Sequence, residues 1–316
     1  MSIAFILGQK NVSYDPAGLI ALYETEPDIR AAYHLAADAT GIDLDALLHN
    51  RGTGEKEQRC VASVGLAAAM MGIYDVLIGR GVVPAAIGGL SLGTMASAAL
   101  AGSLDRGDLL RILYRAEAAD EAVPGARQQA CTGAVLPVGC DYESFYGGRE
   151  GYWLAGDFGM HESGAFRMLL LSGYRDALEA EAAKHPKEWF VFSEEIIAPH
   201  CPLRQHVADL VAAELKQLTL ADPRLRLCSC LERGTLTTAA EVEDVLVRNV
   251  VSTVDLDNLS QEMVSHGATM GVVLGPTLPK TFEFPFPITY VDEPAHLDQV
   301  CASMAATTAG RGPGAV

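Results

Sequence analysis

The 316-residue chain is 49% hydrophobic and 20% charged, a balance that supports a large buried core and excludes a disordered chain. Its formal net charge of −17, with an isoelectric point near 4.8, repels nucleic-acid backbones and anionic lipid surfaces and excludes both as partners. Seven cysteines (Cys60, Cys131, Cys140, Cys201, Cys228, Cys230 and Cys301) are odd in number and scattered among apolar neighbours. They read as buried free thiols: Cys228 and Cys230 share a strand face, but no second pair completes a metal site, and neither metal nor cofactor is expected.

The opening residues, Met1-Ser2-Ile3-Ala4-Phe5-Ile6-Leu7, lack a basic stretch followed by a long apolar run. They predict a first strand rather than a signal peptide, in a cytoplasmic protein with no membrane span. Asp15-Pro16 and Glu26-Pro27 then open two helical regions, the second reaching about Asp38, and a short helix runs from Gly41 to near Asn50. From Glu55 to Arg80 small and apolar residues are so dense after Cys60 that the helix must be buried almost all round. A strand from Val82 leads to Gly88, a helix follows from Ser91 to about Ala101, and another runs from Leu104-Asp105 to about Ala122. Val123-Pro124-Gly125 breaks the chain.

The texture then changes. Short strands are predicted at Ala130–Val138, Tyr152–Ala155, Phe166–Leu171 and Trp189–Ser193, with a helix from Tyr174 to about Lys184. After Pro202 helices return, with strands at Arg224–Cys230, Thr269–Leu274 and Ile288–Tyr290, helices at Ala239–Val251 and Asp255–His266, and a last helix from Glu293. The end of the chain from Thr308 reads as a mobile tail. Alternating strands and helices in the outer portions predict an α/β fold on a parallel sheet, interrupted by a smaller α+β insertion.

One stretch carries chemistry. Ile87-Gly88-Gly89-Leu90-Ser91-Leu92-Gly93-Thr94-Met95 reads as strand, turn and helix around Gly-x-Ser-x-Gly, the setting of a nucleophile elbow. Small residues let strand and helix approach, and the serine hydroxyl sits at a helix N-terminus that favours an oxyanion. In a chain this rich in glycine the pattern has a chance occurrence of roughly one in five, so context decides. A serine nucleophile needs a base within hydrogen-bond reach. Among eight histidines, His34, His185, His206 and His266 sit on or beside polar helix faces. His200 lies between Pro199 and Cys201-Pro202 on a stiff loop ahead of a helix, the setting of a positioned side chain; the bland alternative is a structural loop histidine.

The order and spacing of these pieces resemble the malonyl-CoA:acyl carrier protein transacylase family, which includes the acyltransferase domains of polyketide synthases. Ile6-Leu7-Gly8-Gln9 stands at the family's N-terminal Pro-Gly-Gln-Gly, and Gln58 at its buried glutamine. Gly89-Leu90-Ser91-Leu92-Gly93 matches Gly-His-Ser-Leu-Gly, with Leu90 replacing a frequent histidine. Ala198-Pro199-His200, Val247-Arg248-Asn249-Val250 and Leu274-Gly275-Pro276 fall at three further motifs. The resemblance implies a large α/β-hydrolase-like part (1–125 and 197–308), a small ferredoxin-like part (126–196) and a site between the two parts, with the mobile tail read from its composition at 309–316. It implies a Ser91–His200 dyad, a backbone carbonyl at Asn249 orienting the imidazole, and an oxyanion hole from the backbone N–H groups of Gln9 and Leu92. Leu90, Arg115, Ala116, Pro199 and Gln58 would border the substrate pocket, and the partners would be an acyl carrier protein and acyl-CoA or another pantetheine thioester.

The family holds a malonyl carboxylate with an arginine whose position falls on Ala116. Arg115 is one residue early, a rotation of about 100° around a helix, and Glu117 and Asp120 add negative charge. Loss of a bidentate arginine contact disfavours malonyl groups and suits uncharged acyl groups, unless a one-residue deletion returns Arg115 to the role. Two readings of the chemistry stand together: acyl transfer between pantetheine thioesters in polyketide or related biosynthesis, or hydrolytic release of acyl groups from carrier proteins. An unrelated esterase would pair Asp255 or Asp257 with His296, and a catalytically dead carrier-binding scaffold would have lost Ser91 or His200. Docking of an acidic carrier protein on so acidic a chain calls for a local basic patch at the site entrance, for which Arg127, Arg149 and Arg204 are candidates.

Overall fold

Every residue of Ile3–Leu7 is apolar, and in a computed structural model of the chain this segment is a strand, β1, buried on both faces. The structure describes residues 2–119, 126–186, 188–193 and 196–309. The predicted break at 123–125 and the last residues of the predicted tail, 310–316, lie outside them.

The elements that come after it are α1 (Ala17–Thr25), α2 (Pro27–Thr40), α3 (Leu44–His49), α4 (Glu55–Gly79), β2 (Ala86–Gly89), α5 (Leu92–Leu100) and α6 (Arg106–Ala119). Then come β3 (Gln129–Pro137), β4 (Tyr152–Met160), β5 (Phe166–Tyr174), α7 (Arg175–Ala182), β6 (Trp189–Phe192) and α8 (Gln205–Leu215). The last are β7 (Leu227–Cys228), β8 (Thr235–Leu236), α9 (Ala239–Arg248), β9 (Val254–Asp255), α10 (Leu256–Ser265), β10 (Met270–Leu274), β11 (Ile288–Val291) and α11 (Pro294–Ala309). The final helix holds Thr308 and Ala309, so the chain is helical where a tail was expected.

A six-stranded sheet runs β11-β10-β1-β2-β7-β8, parallel except for the β7–β8 pair. Parallel neighbours need crossovers that put helices on both faces, so the central strands β1, β2 and β10 are apolar throughout rather than alternating. Successive side chains of β1 still part company. Ile3, Phe5 and Leu7 join the core built around α2, α4, α5 and α6, while Ala4 and Ile6 join the opposite core with Leu259, Met263 and Phe286. The fold is α/β, as expected.

Helix α4 runs through the larger core, buried from Arg59 to Ile73. It is long and apolar enough to cross a bilayer, yet 83% of its most apolar window is buried inside the fold. Its small residues permit this: a Cβ on Gly72 would stand 2.7 Å from Ile29 Cα. A second sheet, β6-β3-β5-β4-β9, has five strands. Its centre is a nine-residue antiparallel ladder from Gln129↔Tyr174 to Pro137↔Phe166, and α7 packs on β3 and β5. The edge strand β9 comes from far along the chain and pairs parallel to β4. Two residues long, it carries too little pattern to be read from sequence.

Close packing at the end of β2 sets the geometry of the turn into α5. A Cβ on Gly89 would lie 2.4 Å from Gly93 C, and one on Gly93 would lie 2.1 Å from Leu7 O. Gly93→Ala is therefore expected to destabilise the protein by about 3 kcal/mol or more, as overpacking against backbone does. Gly79→Ala, whose Cβ would meet nothing within 4 Å, is expected to be neutral or to stabilise by up to about 1 kcal/mol. Denaturant unfolding of both variants checks the pair; equal midpoints would show that the elbow is not tightly packed.

Candidate active site

Ser91 leaves β2 with φ 55° and ψ −112°, a conformation that costs a non-glycine residue free energy and persists only where its surroundings enforce it. Here the elbow is held by Leu90 N–H donating to Leu7 O (2.9 Å), and by Thr94 Oγ1–H donating to Gly89 O (2.8 Å). His200 has φ 55° as well, and Cys201 Sγ donates to Ala198 O across its turn. The two strained residues meet. His200 Nε2 lies 2.8 Å from Ser91 Oγ, and His200 Nδ1 lies 2.6 Å from Asn249 O. A carbonyl can only accept, so Nδ1 carries the proton and Nε2 is the acceptor for the serine hydroxyl.

Asn249 holds both partners. It closes α9 and is 4% exposed; its carbonyl takes the imidazole, while its side-chain Nδ2 donates to Ser91 O (3.0 Å). Its buried Oδ1 has no hydrogen-bond partner among the described residues. His200 itself is 7% exposed. Burial, aided by the positive charges of Arg204 and Lys10 and opposed by the Asn249 carbonyl, pushes its pKa down to about 4. The imidazole is a neutral base at ordinary pH.

These groups open on a cavity of about 330 Å³. Gln9, Ser91, Leu92, Ala116, Pro199, His200 and Asn249 line it. Of the expected pocket residues, Leu90, Gln58 and Arg115 do not. Leu90 is fully buried in the core on the far side of the sheet, with Phe158 and Leu259, because it precedes the turn and points away from the serine. Gln58 ties loops together: its Oε1 accepts from Gly52 N–H (2.7 Å) and its Nε2 donates to Val12 O (3.1 Å) and Asn50 Oδ1 (2.9 Å). Arg115 points outward, half-exposed, and pairs with Glu214 at 2.5 Å; the helical rotation that separates it from Ala116 takes it off the cavity face.

The expected oxyanion donors also differ from one another. Leu92 N–H stands at the first position of α5, directly after Ser91. Gln9 N–H instead donates to Thr277 O (3.1 Å), beside Gly8 N–H on Thr277 Oγ1 (3.1 Å). The loop after β1 is thus docked onto the turn after β10.

Sequence reasoning missed an ionic cluster in the wall. Glu117 accepts from Lys10 Nζ (3.1 Å) and Ser63 Oγ (2.7 Å), with the buried Arg59 Nε at 4.0 Å. Burial would raise the Glu117 carboxyl, but Lys10, Arg204 and Ser63 together hold it below the ordinary carboxylate range. Its charge was legible; its neutralisation by Lys10, 107 residues away, was not. Arg204, a candidate for the entrance surface, is 8% exposed and lines the cavity. Arg127 pairs with Asp176 and lies over the Tyr174 ring; Arg149 donates to Ser144 O. The esterase partners are elsewhere: Asp255 caps α10 through Asn258 N–H (2.8 Å), and His296 pairs with Asp292 (2.8 Å).

Comparison with known proteins bears on this arrangement. No family model matches the chain. The malonyl CoA-acyl carrier protein transacylase of Escherichia coli K12 is 25% identical over 256 residues, 79% of this chain and 81% of that protein. The malonyl-CoA:acyl carrier protein transacylase of Helicobacter pylori superposes with a TM-score of 0.82 at 20% identity, covering 96% of this chain and 99% of that one. The chain has the fold of the malonyl-CoA:acyl carrier protein transacylases and resembles them in sequence. A malonyl-transacylase solved with a type II polyketide synthase acyl carrier protein is similar at a TM-score of 0.81 and 19% identity, over 96% of this chain and 100% of that one.

The depressed His200 pKa makes a direct prediction. A base with its pKa near 4 stays unprotonated as pH falls through 6.5, so labelling of Ser91 by a fluorophosphonate should be flat from pH 8 to about 5.5 and fall with a midpoint near 4. Labelling followed by intact mass, with circular dichroism to follow the fold, checks this; a midpoint near 6.5 would mean that the imidazole is solvated.

Proposed function

We propose that the protein moves an acyl group between pantetheine thioesters through an acyl-Ser91 intermediate, with His200 as the base. The observation that carries this reading is the hydrogen-bonded series Ser91 Oγ, His200 Nε2, His200 Nδ1, Asn249 O at 2.8 and 2.6 Å, on a fold shared with acyl-transferring enzymes. Nε2 takes the Ser91 proton as Oγ attacks the thioester carbonyl. The charge that develops on the carbonyl oxygen is stabilised by Leu92 N–H and the N-terminus of α5. The Gln9 amide joins it only by giving up the Thr277 carbonyl. When the carbon–sulfur bond breaks, the leaving thiolate takes the proton from Nε2. A second pantetheine thiol then repeats the steps in reverse: it loses its proton to Nε2, attacks the ester carbonyl and returns Ser91 to its hydroxyl form.

The substrate partners are an acyl carrier protein and an acyl-CoA or other pantetheine thioester, in polyketide or related natural-product biosynthesis. Free cysteines at all seven positions suit a cytoplasmic setting. Residues 1–125 and 197–308 form the large unit and 126–196 the small one in this reading, with β9 of the former completing the sheet of the latter.

Incubation with acyl-pantetheine thioesters and intact-mass detection tests the assignment. Wild type should gain one acyl mass on Ser91 and pass it to a carrier-protein thiol. Ser91→Ala should show no acylation, and His200→Ala should acylate at least a thousandfold more slowly. Acylation that survives Ser91→Ala would overturn the nucleophile. Quantitative loss of the acyl group to water in the presence of carrier thiol would make the protein the hydrolase instead.

A further inference from the structure

The acyl cavity has two kinds of wall. Helices α5, α6 and α8 contribute Met95, Leu113, Ala116, Val207 and Val211. On α6, Leu113 and Ala116 are spaced i, i+3, and on α8, Val207 and Val211 are spaced i, i+4, so each pair shares a helix face. None of the five offers a hydrogen-bond donor. The cation nearest in sequence, Arg115, is held at the surface by Glu214. The cations that do line the cavity, Lys10 and Arg204, are those whose charge keeps Glu117 ionised. A carboxylate placed among the five apolar side chains would be desolvated with no donor from any of them, which disfavours it there. A hydrocarbon chain placed there removes apolar surface from water.

We propose that the acyl group selected is uncharged and aliphatic, with its chain lying in the arm between α5, α6 and α8, a substrate class that presupposes acylation of Ser91. Chain length is then read by burial. Each methylene transferred into an apolar site contributes about a fourfold gain in kcat/KM until the arm is full.

Single-turnover acylation by acetyl-, propionyl-, butyryl-, hexanoyl- and malonyl-pantetheine, followed by intact mass, tests this. The second-order rate constant of acylation, measured below saturation, should rise about fourfold per methylene from acetyl to butyryl, with malonyl at least tenfold slower than propionyl. Ala116→Arg should slow butyryl at least tenfold and raise malonyl. Val211→Phe should cost hexanoyl and butyryl far more than acetyl. Malonyl loading on wild type as fast as butyryl, or a flat response to chain length, would overturn the substrate class while leaving acyl transfer through Ser91 intact. So would equal losses for every chain length in Val211→Phe with an unchanged fold by circular dichroism. Failure of every thioester to acylate a Ser91 that fluorophosphonate still labels would overturn both readings together.

Discussion

The hydrogen bond between Ser91 and His200 depends on two backbone turns that neither residue would adopt unaided. Both have φ 55°, and each is held by contacts from distant parts of the chain. Gly89 and Gly93 bring β2 and α5 against the end of β1 so closely that no side chain fits between them. Ala198 and Cys201 close the turn around the histidine. Asn249 then couples the two turns, with its carbonyl on the imidazole and its side chain on the Ser91 carbonyl. Strain of this kind is stored where the surroundings over-determine it, and here three separate elements do so.

The same packing governs the electrostatics. Burial removes the water that would favour an imidazolium, and Lys10 and Arg204 add a field of the same sign as the proton. The base is therefore kept neutral by its setting, while the Asn249 carbonyl chooses which nitrogen bears the hydrogen. Those cations are themselves balanced by Glu117. An acidic chain thus carries a charge-balanced cluster of cations around one carboxylate in its cavity wall, which its net charge of −17 gives no hint of.

Much of this was legible in the residues. The apolar run of β1, the buried α4 and the glycines around Ser91 each obey local rules of pattern and turn chemistry. The four longer strands and the helix of the second sheet were legible for the same reason. What escaped depends on side chains meeting across long sequence distances. Gln58 turned out to tie loops rather than border the pocket, and Gln9 N–H was found bonded to Thr277. Strands β8 and β9, two residues each, are too short for a periodic signal.

Residue order alone determined the α/β class and the elbow, because periodicity and spacing are properties of the chain itself; the family resemblance added the offset of Arg115 by one residue from the arginine position expected at Ala116. Tertiary structure decided what the offset means. The rotation around α6 sends Arg115 to Glu214 and leaves Ala116 on the cavity wall opposite the valines of α8. It also decided that Glu117 faces Lys10 rather than solvent. Which charges cancel and which surfaces enclose a ligand are set by contacts between segments, and those exist only once the chain has folded.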